Sequence, residues 1–161
     1  MSLKRACIGP SALEKIRALV RSSGTHEIGG PMVGYVTDEH ELVIADVAGP
    51  GLNGKCMPFN VTVDGEHSKQ FCDIAFRTSG GKLDFVGDWH CHPSLCIRPS
   101  EGDRQAMKLL AETPGLVPNP VSLIYNSFLR IFRIYEWVDS EQRLVAIPHR
   151  RLKSDPQISY P

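Results

Sequence analysis

The ten residues from Leu83 to His92 constrain this chain more than any other stretch. Their side chains alternate: Leu83, Phe85, Trp89 and Cys91 fall on one side of an extended strand, and Asp84, Asp88, His90 and His92 fall on the other. A period of two is the mark of a half-buried strand, and it makes both imidazoles point the same way. Pro93 ends the strand. After a loop, Pro99-Ser100 has the form of a helix start, with Ser100 as the cap and Asp103 in the first turn. A strand end and a helix start can meet at one metal ion.

A catalytic zinc takes three protein ligands at roughly 2 Å and keeps a fourth position for water. His90, His92 and Asp103 would supply those three. Hydrolysis also needs a base beside the water and a group that stabilises the developing oxyanion. Ser100 fits the second role, and the first must come from elsewhere. A lone His-x-His pair is more often surface or core than ligand, but the combined spacing is much more specific. Cys91 and Cys96 raise a rival, a zinc ribbon or a deaminase site. That rival fails on spacing, because the chain has no Cys-x-x-Cys and no His-x-Glu, and Cys91 points away from the histidine face. Asp88 shares the face of His90 and His92, as a partner that orients an imidazole or as a plain surface charge.

With 161 residues and 42% hydrophobic composition, the chain is long enough for one domain with a real core and short for two. The expectation is a single domain over 1–161, with a core of about 11–148 and a frayed polar tail over about 150–161. Eighteen basic and eighteen acidic residues cancel, which gives no reason to expect nucleic acid or an anionic membrane as partner. A protein or peptide partner is expected. Met1 to Pro10 contains Lys4 and Arg5 but no apolar run of signal length, so a cytoplasmic location is expected. Five cysteines without regular spacing imply no disulfide framework.

Ser11-Ala-Leu-Glu14 reads as a capping box that opens a helix over about 11–22. Thr25 to Val36 reads as a strand, with a hairpin at Thr37–Glu41 and a return strand from Leu42 to Ala48. Glu27 lies at the start of the first strand, where a solvated charge is the ordinary reading. Gly49 to Phe59 is turn-rich and expected to be an ordered loop. Asp64 caps a second helix with apolar Phe71, Ile74, Ala75 and Phe76, which ends at Gly80-Gly81. A third helix runs from Ser100 to about Thr113 with Ala106, Leu109 and Leu110 inward. Val121–Tyr125, Phe128–Trp137 and Gln142–Pro148 read as an antiparallel meander, with a tight turn at Asn126-Ser127. Two rigid loops, Gly49 to Pro58 and Thr113 to Pro120, are expected to flank a substrate groove. The fold class is α/β, a mixed, mostly antiparallel sheet flanked by helices.

His-x-His-Pro, six residues, then Ser-x-x-Asp resembles the signature of the JAB/MPN metalloprotease family, called JAMM, at every position. Glu27, Gly30, Met32 and Gly34 are similar to that family's Glu-x-x-Gly-x-Leu-x-Gly element, with methionine in place of leucine. The resemblance implies that Glu27 is the general base, Ser100 the oxyanion donor, Zn2+ the cofactor, and His90, His92 and Asp103 its ligands. It extends from Ser11 to about Pro148. The Gly49–Asn53 segment and the Gly87–Pro93 element look most like small bacterial members associated with ubiquitin-like conjugation genes and with CBASS anti-phage operons. Such members are deconjugating peptidases that cut after the C-terminal residue of a modifier or of a CBASS nucleotidyltransferase. The partners implied are a protein with an extended C-terminal tail and E1/E2-like operon proteins. Alternatives are a processing peptidase for a sulfur carrier or other ubiquitin-like protein, a non-catalytic JAB scaffold, and a repair-associated JAB domain. A formally neutral chain gives the last no support.

Overall fold

The computed structural model describes residues 2–117 and 119–158. Within them lie three α-helices, an eight-stranded mixed sheet and a separate two-stranded hairpin. The large sheet joins β1 (Arg5–Ile8), β2 (Gly29–Val36), β3 (Glu41–Val47), β6 (Asp84–His92), β7 (Val121–Asn126), β8 (Ile131–Val138), β9 (Arg143–Ile147) and β10 (His149–Arg151). Their order is β10-β1-β3-β2-β6-β7-β8-β9. Four of the seven pairings are antiparallel; β1 with β10, β1 with β3, and β6 with β7 are parallel. The α/β expectation holds. No helix among the described residues is long and apolar enough to cross a membrane.

Helix α1 (Pro10–Ser23) buries Ala12, Leu13, Ile16 and Val20 against Ile8, Leu42, Ile44, Trp89 and Leu123 of the sheet. Its expected capping box does not form. Pro10 already occupies the first turn, so Ser11 lies inside the helix; its backbone N–H (2.9 Å) and its hydroxyl both donate to Asp155. Part of the segment expected as a frayed tail is thus tied to the domain, and residues 159–161 of it lie outside the described residues. Strand β10 pairs with β1, and the Asp155 carboxylate accepts from the start of α1.

Strand β6 lies between β2 and β7 in the interior of the sheet. Its pairing with β2 steps from Met32↔Gly87 to Val33↔Phe85, so Val86 is an extra residue, a bulge. Beyond the bulge the faces exchange: Val86, Trp89 and Cys91 join the core, while Phe85, expected beside Trp89, is only half-buried. Gly87 has φ +143°, and a Cβ there would lie 1.9 Å from the Val121 carbonyl oxygen, so the residue must be glycine. From Asp88 to His92 the alternation is regular. His90 and His92 thus face away from the Trp89 and Cys91 side.

Helix α2 (Gly65–Thr78) is capped as expected, with Asp64 accepting from the N–H groups of Glu66 and His67, yet none of its residues is fully buried. The hairpin of β4 (Lys55–Met57) and β5 (Asn60–Thr62) replaces part of the loop expected at Gly49–Phe59. Helix α3 (Glu101–Glu112) buries Met107 alone, while Ala106 and Leu109 are exposed, contrary to expectation. The face of α3 is fixed by its first turn: Asp103, Met107 and Leu110, spaced i, i+4, i+7, are its inward stripe. The turn after β7 covers Ser127–Arg130 rather than Asn126-Ser127, because the Asn126 side chain accepts from the Leu129 N–H at 2.8 Å.

Candidate metal centre

His90 and His92 reach one point because they are two residues apart on a strand, and Asp103 meets them because Ser100 starts α3 across the loop. The Ser100 hydroxyl accepts from the Asp103 N–H at 3.1 Å, and the Ser100 N–H donates to the Asp103 carboxylate at 2.6 Å, a reciprocal capping box. The cap holds the Asp103 carboxylate at the head of α3. Asp103 Oδ1 lies 3.1 Å from His90 Nε2, Asp103 Oδ2 lies 3.5 Å from His92 Nε2, and the two Nε2 atoms are 3.1 Å apart. Three ligands on a tetrahedron of about 2 Å radius are roughly 3.3 Å from one another. Two imidazoles and a carboxylate at these separations fit a divalent cation of zinc's size and preference.

The electrostatics agree with that donor set. Burial alone would raise the Asp103 pKa, but hydrogen bonds from His90 and His92 outweigh it and hold the carboxyl well below the usual range. Burial would lower His90, yet Asp103 wins and raises it. Asp88, expected as a possible partner for an imidazole, instead accepts from the Ser122 hydroxyl at 3.2 Å, and no hydrogen bond to either histidine is formed. Its burial pushes its pKa up to about 6, against the pull of His90 and Ser122. The group that does bond a ligand-side imidazole is the Cys96 carbonyl, 3.2 Å from His92 Nδ1.

Glu27 precedes β2. The Ile28 carbonyl accepts from the Cys91 N–H at 2.8 Å, so one step further in the antiparallel register Glu27 lies beside the His92 end of β6. Its own N–H donates to the Met57 carbonyl at 2.8 Å, which ties it to the β4–β5 hairpin. Gly29 allows this approach, since a Cβ there would sit 2.4 Å from the Trp89 carbonyl oxygen. Glu27 is half-buried, and that burial raises its pKa while His92 and His90 draw it down. Together with His90, Ser100 and Asp103 it lines a cleft of about 190 Å³ walled by Phe59 and Met107. Ser100 uses an oxygen lone pair for its cap, which leaves the hydroxyl proton free to donate.

Neither of the two loops expected to flank a groove lines this cleft: on the hairpin side its wall is Phe59, Asn60, Val61 and Val63, just past Pro58. Gly115, Leu116 and Val117 line a different cleft beside Tyr35 and Phe85, and Pro118 lies outside the described residues. A larger cleft of about 820 Å³ lies between α1 and the Ser127–Arg130 turn. It holds no imidazole, and its Glu14 is already paired with Arg21 at 3.0 Å. A short strand over Phe59–Val63 is legible in the sequence, and β5 forms there; its partner β4 and the role of Asn126 are not, since Asn126 carries no signal beyond ending a strand.

Residues 10–137 match the family described as prokaryotic homologs of the JAB domain. A probable metalloprotease, y4qB, of Sinorhizobium fredii is 29% identical over 100 residues, 61% of this chain and 61% of that protein. A CD-NTase/cGAS isopeptidase of Vibrio cholerae is 31% identical over 84 residues, 52% of this chain and 53% of that protein, and one of Escherichia coli is 29% identical over 93 residues, 56% and 59%. The chain thus spans between half and two thirds of the length of the curated relatives it matches. The solution structure of protein DSY2949 from Desulfitobacterium hafniense superposes with a TM-score of 0.70 over 93% of this chain and 94% of that one, at 14% identity. That likeness concerns the fold alone.

Proposed function

The chain belongs to the prokaryotic JAB-domain family, and from that premise we propose that it is a zinc-dependent peptidase or isopeptidase acting as one domain over 1–161. The observation that carries this reading is the convergence of the ligand atoms of His90, His92 and Asp103 on one point, beside a cleft that Glu27 and Ser100 line with His90 and Asp103. The three ligands would hold the ion; when bound, zinc lowers the pKa of water toward neutrality and polarises a carbonyl. Glu27 accepts the proton of the attacking water and returns it to the leaving amine. Its partial burial suits this task, because a raised pKa brings a carboxylate nearer to a base's working range. The Ser100 hydroxyl donates to the oxyanion, a contribution on the order of 3 kcal/mol by comparison with other such donors. A non-catalytic scaffold would have no need of both the ligand set and the base, and all four residues are present.

The substrate in this proposal is a protein joined to its target through an extended C-terminal tail, either a ubiquitin-like modifier or a CBASS nucleotidyltransferase. The names of two relatives, CD-NTase/cGAS isopeptidases, support the second. E1/E2-like proteins would make the conjugate, and the compartment would be the cytoplasm. A processing peptidase for a sulfur carrier would use the same site on another tail. The test compares two fusions that share a tail with two that share a leaving protein, scored by mass spectrometry. Changing the leaving protein should alter kcat/KM by less than about tenfold, roughly 1.4 kcal/mol, and changing the last tail residues should cost considerably more. A rate that follows the leaving protein would instead mean a target-directed peptidase.

A further inference from the structure

Asn126 is completely buried at the end of β7, directly opposite His92 in the parallel register with β6. Its amide nitrogen donates to the carbonyls of Ser94, at 2.5 Å, and Cys96, at 3.3 Å, and its oxygen accepts from the Leu129 N–H at 2.8 Å. Two carbonyls on one side and an N–H on the other allow only one orientation of that amide. Every polar atom of the side chain is therefore engaged within the protein. On the far side of the same loop the Tyr135 hydroxyl donates to the Ile97 carbonyl at 3.0 Å. These bonds strap the segment between Pro93 and Pro99 to β7 and β8, and the strapped Cys96 carbonyl is the group that faces His92 Nδ1 at 3.2 Å.

A carbonyl oxygen accepts hydrogen bonds and has no proton to give. The contact with Cys96 therefore requires the His92 proton on Nδ1, which leaves the Nε2 lone pair facing His90 and Asp103. We propose that Asn126 is a positioning residue that fixes the tautomer and ring angle of His92 by holding the Cys96 carbonyl in place. The inference rests on the reading of His92 as a metal ligand. Partners of this kind set ligand basicity and orientation, and losing one typically costs 10–100-fold in metal affinity. Asn126 acts at one remove, through a backbone carbonyl, so no side-chain substitution at position 96 would mimic its loss.

The test has two arms. In the unsubstituted protein, nitrogen-15 spectra of the imidazoles, with His92 assigned from His92→Ala, should show a proton on Nδ1 in both metal-free and zinc-loaded samples. A proton on Nε2, or zinc on Nδ1, overturns the inference whatever the variants do. In the second arm, zinc affinity is measured by chelator competition on Asn126→Asp, which cannot donate to either carbonyl, and on Asn126→Ser. The expected result is affinity weakened by about tenfold or more in protein that still melts cooperatively. Affinity within twofold of the parent in a folded variant would mean that Asn126 merely supports the loop. If His92→Ala loses zinc while Asn126→Asp binds like the parent, this inference falls and the ligand assignment stands. If His92→Ala itself binds zinc like the parent, both fall.

Discussion

The sheet end that carries His90 and His92 borders the cleft, as does the Phe59–Val63 part of the segment from Lys55 to Thr78, yet the chain holds the two very differently. At the sheet end, His90, His92, Trp89, Cys91 and Asn126 are all buried, and the loop beyond is tied by Asn126 and Tyr135. In the other segment no residue of α2 is fully buried, and Met57, Phe59, Ile74 and Phe76 expose half or more of their surface or close to it. The candidate reacting groups thus stand on an over-determined frame, while one wall of their cleft is held lightly. Fixed chemistry beside an adaptable wall suits a site that must admit a chain of varied side chains. Glu27 joins the two regions, since its backbone is bonded to the hairpin and its side chain faces the histidine cleft.

The comparison breaks first where the frame is deepest. Trp89 is 1% exposed, and its indole N–H donates to the Ala48 carbonyl at 2.8 Å. Trp89→Ala should cost about 3–5 kcal/mol in chemical denaturation, the range for a large buried aromatic. A loss below about 1 kcal/mol would show that the frame is not rigid. Ser100→Ala removes both a cap and the proposed oxyanion donor. It should lower kcat by about 10²-fold and stability by about 1 kcal/mol, with KM little changed. A stability loss with kcat intact would reduce Ser100 to a cap.

Smaller effects sharpen the contrast at Glu27 and at the wall. Partial burial raises the folded Glu27 pKa above its ordinary value of 4.5. The neutral carboxyl is thereby favoured in the fold, and the cost of ionising it grows as pH rises through the folded pKa. Metal-free Glu27→Gln should then be more stable than the parent at pH 7, with the difference closing as pH falls toward 4.5. Melting curves across that range check the sign; a difference that widens toward acid contradicts it. Smallest of all, Phe59→Ala should leave stability within about 0.5 kcal/mol, since Phe59 is 88% exposed, while KM for a tail substrate rises. A large drop in melting temperature would mean that the wall is as firmly held as the frame.

Much of this frame was legible in the sequence, for a physical reason. Residues Asp88 to His92 alternate regularly, Ser100 and Asp103 have the spacing of a cap, and Asp64 caps α2 as its position suggests. These are local patterns, and local geometry decides them. What the sequence hid depends on distant partners. Ser11 lies inside the first turn of α1, and the acceptor of its N–H is Asp155, 144 residues away. The bulge at Val86 arises from pairing with Met32 and Val33, and it moves Phe85 out of the core. The inward face of α3 follows Asp103, which turns Leu110 inward and leaves Ala106 and Leu109 exposed, and Asn126 gains a role only through a loop some thirty residues earlier in the chain.

The central claim is that Glu27 works beside an ion held by His90, His92 and Asp103. The most direct measurement takes the parent, Glu27→Ala and Asp103→Ala, determines zinc by elemental analysis, and follows cleavage of a tail fusion. About one zinc per chain is expected in the parent and in Glu27→Ala, with turnover lower by at least ~10²-fold in that variant, and zinc is expected to be lost from Asp103→Ala because two remaining ligands hold it poorly. Glu27→Ala active within a few fold of the parent, or Asp103→Ala with unchanged zinc, would contradict the claim.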